Sequence, residues 1–597
     1  MMIFIVILFL IFFSTNILAE DEVKTKEVVI TATKTEAEVE DLPVPVEVIT
    51  REEIKKMNIK TVQHALKNIG GIKIKRNIGN WGDKGKVQIW GLDPKHVLIL
   101  VDGQRIHGGH GDAADLQQIP IDTIERIEIL KGNASALYGS DAIGGVVNII
   151  TRSVPDKLTA TVSPSFGNRG TRIFELTTGG KAGGIGALLS YTFRHSDGVH
   201  KETDEFTEHL LDGKFQFDLS DSMKLSIRPF YSTQKIEYEQ RKQERWGFNS
   251  NFIWKPDKDT TVNFRSSFFS FEHWTSDRKT DWDDINYELE LNVSRPFFNN
   301  HLFTAGYQLW IEEIDDRGKR YTADQTIHGV FLQDEIDWSP FIVILGGRLD
   351  KHDRWGTEFN PKLSILYKIT EDFKLRGSVG TAFKGPSLVR LYGDNWRMGR
   401  YIVRANPDLK PEESVGYNVD GEYRFLKNYV FKLTFFRNDI KKLISHYYTR
   451  VGNVWYLNWQ NIEKARTQGL ELSVGGEIVK NLNFSLNYTF VDAKNRITGK
   501  KLQQRPKNTI SGDINYFIPS WGMNLYLTGS YIGRRYEDTE NKVKLGGYTT
   551  FDVAVNKELW KDAHFFVRVD NITGKKNIPD EYDIDGPVYL TGIKLKF

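Results

Sequence analysis

Alternation of apolar and polar residues dominates the chain from about residue 155 to its end. A clear example is the pair of segments 214–220 and 223–228, which are separated by the short turn Asp221–Ser222. The same two-residue period recurs at residues 260–269, 373–380, 430–437, 482–491 and 565–570. Because successive side chains of a β-strand point to opposite faces, this pattern predicts a long series of antiparallel strands.

The connections between these predicted strands are uneven. Short turns alternate with long polar segments at His195–His209, Asp277–Asn286 and Asp394–Asn406. A soluble β-sandwich also shows alternating strands, but short turns on one side and long loops on the other are typical of an outer-membrane barrel. Twenty-two strands of about ten residues fit the available length better than sixteen or eighteen.

The region before the strand series has mixed α/β character. Thr50, with Glu53 three residues later, predicts a capped helix, and Thr61 predicts a second helix that ends at Gly70. Predicted strands lie at Val44–Val48, Ile72–Lys75, Val87–Trp90, Val97–Val101 and Ile124–Leu130. The glycine-rich stretch Leu130–Thr151 joins this compact region to the strand series.

Composition and charge narrow the function. The formal net charge of +2 gives no support to a nucleic-acid partner, and the absence of cysteine excludes disulfides and thiol chemistry. Gly-x-Ser-x-Gly and His-Glu-x-x-His motifs are also absent, so we expect no enzyme and no required cofactor. Residues 1–19 are apolar and predict a signal peptide, although no Lys or Arg precedes the apolar run.

Residues 20–42 form a polar lead that contains one β-prone run, Glu27–Ala32. The run is either a frayed strand or a docking segment whose backbone pairs with the sheet edge of another protein. We divide the chain into a signal peptide (1–19), a periplasmic N-terminal segment (20–42), a mixed α/β domain (43–154) and a transmembrane barrel (155–597).

Several segments resemble the TonB-dependent outer-membrane receptors, most closely the cobalamin receptors and small siderophore receptors. They are Glu27–Ala32 (EVVITA, like a TonB box), Val97–Arg105 (VLILVDGQR), Ile124–Gly132 (IERIEILKG), Ser135–Thr151 (SALYGSDAIGGVVNIIT), Thr381–Ser387, Asn406–Glu412, Gly469–Glu471 and Val569–Ile572.

The resemblance implies a monomeric 22-stranded antiparallel barrel in outer-membrane lipid, filled by a plug at residues 43–154. It also implies TonB-dependent active transport of a scarce ligand, either cobalamin, a ferric siderophore or another metal chelate. TonB, with ExbB–ExbD, would then bind Glu27, Val28, Val29, Ile30, Thr31 and Ala32. Alternatives are a passive or adhesive barrel, or a haem receptor, although residues 387–405 contain no histidine.

Two positions depart from the family pattern. Trp90 and Lys131 stand where family members often carry arginines that form a charged plug–barrel cluster. Trp90 carries no charge, and Lys131 lacks the bidentate fork of an arginine. We therefore expect a rewired contact, in which Arg126 and Lys131 are candidates to meet barrel carboxylates.

Candidate ligand contacts lie in two plug loops and in the long barrel loops. The plug residues are Trp81 and Asp83 in the first loop, and His107, His110 and Asp112 in the second. Imidazole and carboxylate groups can coordinate a metal. The alternative is that these are polar loop residues bonded to backbone or water.

Acidic loops of the barrel are candidates for Ca²⁺, which prefers several carboxylate oxygens. One set is Asp281, Asp283 and Asp284, and a second is Asp197, Asp204 and Glu205. Solvated loops without a bound ion are the alternative for both sets.

Overall fold

The computed structural model describes residues 28–75, 86–106, 108, 114, 116, 119–198, 205–237, 240–277, 281–319, 321–426, 428–576 and 586–597. The chain folds into a mixed α/β plug and a closed β-barrel that surrounds it.

The described residues of the plug form nine strands and three short α-helices. They are β1 (Val28–Val29), β2 (Ala37–Glu38), β3 (Val46–Thr50), α1 (Arg51–Met57), α2 (Val62–Leu66), β4 (Ile72–Lys75), β5 (Lys86–Ile89), β6 (Val97–Val101), β7 (Gln104–Arg105), β8 (Ile124–Lys131), α3 (Ser135–Tyr138) and β9 (Gly145–Thr151). One sheet has the order β3-β8-β9-β6-β7, and β1 with β2 and β4 with β5 form two separate hairpins. Only β6 and β9 pair in parallel within that sheet.

The predicted helix starts are confirmed, and one predicted end is wrong. The Thr50 hydroxyl accepts from the Glu53 N–H at 3.3 Å, and the Glu53 carboxylate accepts from the Thr50 N–H at 2.7 Å, which completes the capping box. Helix α2 begins after Thr61 but ends at Leu66 rather than near Gly70. The Leu66 carbonyl accepts from the N–H of Ile69 in a tight turn, which closes the helix early.

The remaining elements belong to the barrel. They are β10 (Thr159–Gly167), β11 (Arg172–Ala182), β12 (Ile185–Ser196), β13 (Phe206–Ser220), β14 (Met223–Ile236), β15 (Arg241–Trp254), β16 (Thr261–Trp274), β17 (Asp281–Phe297), β18 (His301–Asp316), β19 (Tyr321–Trp338), β20 (Phe341–His352), β21 (Gly356–Lys368), β22 (Phe373–Lys384), α4 (Leu388–Tyr392), β23 (Trp396–Met398), β24 (Tyr401–Arg404), β25 (Glu412–Phe425), β26 (Tyr429–Val451), β27 (Val454–Val479), β28 (Leu482–Asn495), β29 (Asn508–Ile518), β30 (Met523–Ile532), β31 (Arg535–Tyr536), β32 (Lys544–Leu545), β33 (Tyr548–Trp560), β34 (Ala563–Asp570) and β35 (Val588–Lys596).

The barrel wall has 22 antiparallel strands, which confirms the predicted fold. Strand β22 pairs directly with β25, and β30 pairs with β33, so β23, β24, β31 and β32 belong to long connections at one rim. The first and last strands close the ring, with Val162 opposite Leu595. Full closure leaves no unpaired strand edge in the lipid.

The burial pattern of the wall is the reverse of that in a soluble protein. In β17, Tyr287, Leu289, Leu291 and Val293 are exposed on the outer surface, whereas Glu288, Glu290 and Asn292 are buried against the plug. Apolar side chains therefore face the lipid, and polar side chains face the lumen.

Two of the predicted long loops are shorter than expected. Strand β12 continues to Ser196 and β13 begins at Phe206, both within the predicted loop His195–His209. Strand β17 begins at Asp281, within the predicted loop Asp277–Asn286. Polar residues continue these strands because the strands rise above the lipid into water. The predicted loop Asp394–Asn406 instead folds into the hairpin of β23 and β24. None of the helices in the described part of the chain has the length and hydropathy needed to cross a membrane.

An arginine on the lipid face should destabilise the barrel according to its depth. Leu291 lies mid-strand and Phe297 lies at the end of β17, and both are exposed on the same face. We expect Leu291→Arg to lower the free energy of unfolding by about 2–4 kcal/mol, and Phe297→Arg by about 0–1 kcal/mol. Chemical unfolding in lipid vesicles measures both values. Equal effects at the two positions would contradict this orientation of the strand.

Candidate functional site

The β-prone run near the N-terminus is held inside the plug. Val28 and Val29 pair with Glu38 and Ala37, so the segment folds back on itself as the β1–β2 hairpin. Val29 and Thr31 are completely buried. Glu27 lies outside the described residues. The predicted docking segment is thus intramolecularly paired in this state.

A single buried carboxylate, that of Glu128 on β8, holds this run. One of its oxygens accepts from the N–H of Ile30 at 3.1 Å, from the N–H of Thr31 at 2.9 Å and from the Thr31 hydroxyl at 2.5 Å. The Tyr138 hydroxyl donates to the Thr31 carbonyl at 2.9 Å, and the Asn148 amide donates to the Thr31 hydroxyl at 3.0 Å. Every polar group of Thr31 therefore has a partner within the plug.

Arg126 supports this arrangement rather than the plug–barrel contact that the sequence suggested. Its guanidinium donates to the second oxygen of Glu128 at 2.7 Å. The expectation that Arg126 meets a barrel carboxylate is wrong for the contacts in this structure. The buried Glu128 needs a cationic partner, and Arg126, two residues earlier on the same face of β8, supplies it.

The next residues, Lys34 to Leu42, clamp the N-terminal segment to the barrel wall. The Lys34 ammonium lies 2.5 Å from Glu290 and 4.5 Å from the ring centroid of Phe331. Burial lowers the pKa of Lys34 to about 8 against the opposing effect of Glu290. Arg376 donates to the Leu42 carbonyl at 2.9 Å. These contacts therefore connect the N-terminal segment directly to the barrel wall.

Near its end, the segment Lys34–Leu42 carries a charged cluster around the exposed Glu40. Arg424 lies 2.6 Å and Lys374 lies 3.1 Å from the two Glu40 carboxylate oxygens. Partial burial raises the pKa of Glu40, but hydrogen bonds from the two cations lower it to about 2. Lys368 also pairs with Asp41 at 2.8 Å.

The position of Trp90 explains how the plug keeps its barrel contact without an arginine. The Trp90 indole N–H donates to Glu471 of β27 at 2.8 Å, and its ring stacks on Phe436 with centroids 4.5 Å apart and planes 2° apart. Lys131 lies 2.5 Å from the other Glu471 oxygen and 3.2 Å from Glu47. Burial lowers the pKa of Lys131, but the two carboxylates outweigh that effect and raise it.

A second buried carboxylate joins the plug to the base of the longest hairpin of the barrel. Glu412 accepts from Lys95 at 2.6 Å, from the His96 ring at 2.5 Å and from the N–H of Ile444 at 3.0 Å. Burial lowers the pKa of His96, although Glu412 opposes the shift. Residues of the plug and of two barrel strands thus share this carboxylate.

Trp81, Asp83, His107, His110 and Asp112 lie outside the described residues. The flanking residues Ile106 and Ala114, however, line a crevice between the plug and the barrel. Trp310, Ile327 and Lys384 form part of its barrel side.

The structure does not bring Asp281, Asp283 and Asp284 into one ion site. Asp281 and Asp283 project from the outer face of β17, where each lies 2.6 Å from Arg317. Asp284 projects to the opposite face, is fully buried and accepts from Asn286 at 2.6 Å. Adjacent strand residues point to opposite faces, so these three carboxylates diverge.

Part of the second acidic set does converge. Among the described residues, His195, Asp197 and Glu205 form the one group whose donor atoms all lie within 4.8 Å of one another. The Nδ1 atom of His195 lies 3.1 Å from the Thr207 hydroxyl. Asp204 lies outside the described residues.

Sequence reasoning found the N-terminal run and Lys131 but missed Glu128, Glu471 and Glu412. The polar residues of β8 alternate in the sequence, so Glu128 looks like one more solvated side chain. Glu471 is the last residue of the Gly469–Glu471 motif, but nothing in the neighbouring sequence indicates which plug residues it contacts.

Sequence comparisons agree with this architecture. The profile described as "TonB dependent receptor-like, beta-barrel" matches residues 152–572, and "TonB-dependent Receptor Plug Domain" matches residues 38–146. The Vitamin B12 transporter BtuB of Photobacterium profundum is 27% identical over 617 aligned positions, covering 98% of this chain and 97% of the relative. The iron-regulated outer membrane virulence protein of Vibrio cholerae is 26% identical over 648 positions, with the same coverage.

Solved structures share the fold. The ferric enterobactin receptor PfeA of Pseudomonas aeruginosa superposes with a TM-score of 0.83 at 19% identity, covering 93% of this chain and all of that one. The siderophore receptor PirA of the same organism gives a TM-score of 0.79 at 21% identity, covering 92% and 99%.

Removal of the Glu128 carboxylate should free the N-terminal run. The chain has no cysteine, so Val28→Cys provides a single site for a spin label. We expect Glu128→Ala to increase label mobility because Thr31 loses two hydrogen bonds to a charged acceptor. Glu125→Ala, at an exposed position of the same strand, is the matched control. An unchanged spectrum in the Glu128 variant would contradict its holding role.

The Glu471 contact should contribute measurably to stability. Glu471→Leu leaves Lys131 buried with only Glu47 beside it, so we expect a loss of about 3 kcal/mol. Trp90→Phe keeps the stacking and loses one hydrogen bond to a carboxylate, for a loss of about 1.5 kcal/mol. Denaturant midpoints in detergent measure both, with Glu371→Gln in an exposed turn as the control. If Glu471→Leu behaves like the control, the proposed contribution of this contact is wrong.

Proposed function

We propose that this chain, which belongs to the TonB-dependent receptor family of the outer membrane, imports a scarce metal chelate or cobalamin with energy supplied by TonB. The family consists of transporters and receptors rather than enzymes. The observation that carries the proposal is a plug that is bonded to the barrel wall and whose N-terminal run is retained by Glu128.

A passive channel fits this arrangement poorly. Passive diffusion needs a water-filled lumen, but here the plug meets the wall through buried ion pairs on several strands. Besides Lys131–Glu471 and Lys34–Glu290, Lys60 pairs with Glu175 at 2.6 Å and Lys67 pairs with Asp552 at 3.0 Å. Breaking such pairs is unfavourable without compensation, which favours a transporter that uses an external energy source.

The N-terminal run is the element that TonB would bind. Its backbone must leave β2 and Glu128 before it can pair with the edge of another sheet. A pulling force on the run would then act on the Lys34–Glu290 ion pair and on the rest of the plug. TonB, driven by ExbB–ExbD, is the partner that we propose for residues 27–32.

Both ligand classes have support from relatives. One similar protein is named a vitamin B12 transporter, and the superposed structures include siderophore receptors. Haem has weaker support because residues 387–405 contain no histidine. An adhesive role for the long connections is compatible with transport and does not replace it.

Deletion of residues 27–32 should abolish energised uptake while preserving ligand binding. The reason is that residues 28–32 are not among those that line the crevice bordered by Ile106 and Ala114. Uptake and equilibrium binding of radiolabelled cobalamin and of ferric siderophores, measured on the same cells, test this prediction. Glu36→Gln is the control because Glu36 is exposed and lies outside residues 27–32. Uptake that survives the deletion would refute the energised mechanism.

A further inference from the structure

The short turns of the barrel differ in chemistry from one side of the ring to the other. The turns between β11 and β12, β13 and β14, and β27 and β28 consist of glycine, aspartate, serine, lysine and asparagine. The turn between β17 and β18 instead begins with Phe298, and the turn between β25 and β26 begins with Leu426. Phe298 and Leu426 are 82% and 79% exposed, so two large apolar side chains project from the periplasmic end of the barrel.

Both residues also adopt a backbone conformation that bulky side chains avoid. The angle φ is +52° at Phe298 and +49° at Leu426, in the left-handed region. Asparagine and glycine occupy that region readily, whereas a bulky apolar residue there costs free energy. Among the described residues with positive φ, the other apolar side chain is that of Trp90, which is buried. Local structure therefore does not explain Phe298 and Leu426, which indicates a role in contact with another molecule.

The turns between these two tips extend the apolar surface along the rim. Trp338 and Phe341 flank the turn between β19 and β20 and are 57% and 41% exposed, and Ile369 follows the end of β21. The His301 ring lies between Phe298 and Trp338, with centroid distances of 6.1 and 6.4 Å. We refer to this set of exposed residues as the apolar arc: Phe298, Trp338, Phe341, Ile369 and Leu426.

The N-terminal segment lies against the inner side of this same sector of the wall. Lys34 pairs with Glu290 of β17, and the Thr35 hydroxyl donates to Glu335 of β19 at 2.9 Å. The Glu40 cluster bonds to β22 and β25, through Lys374 and Arg424. These contacts follow the wall from β17 to β25, which are the strands whose turns carry the apolar arc.

Contact with lipid does not account for the two tips. The aromatic girdle of a barrel explains Trp338 and Phe341, which lie at strand ends. Phe298 and Leu426 lie in turns beyond the strand ends, and their left-handed backbone is confined to the sector beside the N-terminal segment. A bilayer surrounds the whole barrel, whereas a protein that engages the N-terminal run meets one sector. The position of the tips thus favours a protein partner.

We propose that the apolar arc is a docking surface for the periplasmic protein that pulls the N-terminal run, which the proposed function identifies as TonB. When the backbone of the run pairs with a sheet edge of this partner, an apolar patch of the partner covers Phe298 and Leu426. Burial of these side chains offsets the unfavourable backbone conformation of the two turns. The inference rests on the proposed function and adds a second contact, on the barrel rather than on the run.

The dimensions of the arc suit a single small domain. Six strand spacings separate the turn between β17 and β18 from the turn between β25 and β26, because β22 pairs directly with β25. At about 4.8 Å per spacing, the tips are on the order of 30 Å apart along the rim. A small domain has about this diameter, so one copy of the partner can contact both tips.

The test measures binding of the purified periplasmic domain of TonB from the same organism to the full-length protein in phospholipid nanodiscs. Every sample carries Glu128→Ala, so that the run is free to pair. We expect Phe298→Asn/Leu426→Asn to raise the Kd about tenfold or more. The unfolding midpoint should stay the same or rise, because asparagine accepts the left-handed backbone. A purely structural role of the two side chains would instead lower the midpoint and leave the Kd unchanged.

Trp521→Asn is the matched control. Trp521 is 61% exposed in the turn between β29 and β30, which lies outside the sector of the apolar arc. Its substitution should leave the Kd unchanged. Heat-modifiable gel migration confirms that each variant keeps its barrel.

A spin label at Phe298→Cys distinguishes a protein partner from the bilayer, since the chain has no other cysteine. We expect the label to be accessible to a water-soluble relaxation agent and to lose mobility when the TonB domain is added. A label that collides with oxygen rather than with the water-soluble agent lies in lipid, and that result would overturn the inference.

Failure of this inference is distinguishable from failure of the proposed function. Binding that depends on residues 27–32 but not on Phe298 and Leu426 overturns the docking surface and leaves the transport mechanism intact. Absence of TonB binding in the Glu128→Ala background overturns both. Binding that depends on the tips, combined with uptake that survives deletion of residues 27–32, supports the surface and refutes the energised mechanism.

Discussion

A barrel of 22 strands encloses a lumen that its own side chains cannot fill, and this constraint governs the rest of the structure. The wall must present apolar residues to lipid, so its alternate residues must be polar and point inward. A plug that occupies such a lumen cannot rely on apolar contacts with the wall alone. It needs side chains that satisfy buried carboxylates, and Lys34, Lys131 and Lys95 perform this task at Glu290, Glu471 and Glu412.

Contacts of this kind define the position of the plug. A buried ion pair adds little net stability over an apolar contact, but its directional bonds define one position, and breaking it without compensation is unfavourable. The plug is thus held in a single arrangement by a few identifiable groups. At Glu471, an indole N–H and an ammonium share one buried carboxylate.

The same physical rule applies to the N-terminal run of the plug. The buried carboxylate of Glu128 accepts hydrogen bonds from Ile30 and Thr31, so the run is ordered and sequestered. Glu412 bonds both to the plug and to the base of the long hairpin. Paired charges therefore hold the plug in place.

The sequence by itself determined the fold class. A two-residue apolar period is a local property, so strands such as β13 and β14 and the turn between them were predictable, as were Val97–Val101 and the Thr50 cap. Family motifs identified the plug and the N-terminal run. Local pattern was less reliable where an element ended, as for α2 at Leu66 rather than Gly70.

Only the tertiary structure decided which charges meet. The partners of Thr31 and Lys131 lie 97 and 340 residues away in the sequence. The fold of the plug brings the first pair together, and the enclosure of the plug by the barrel brings the second pair together. Asp281, Asp283 and Asp284 are neighbours in the sequence but diverge because a strand sends adjacent side chains to opposite faces. Conversely, Phe298 and Leu426 lie far apart in the sequence but share one sector of the rim because the strands between them pair in order. Local patterns fix secondary structure, whereas a binding site requires the register and closure of the whole sheet.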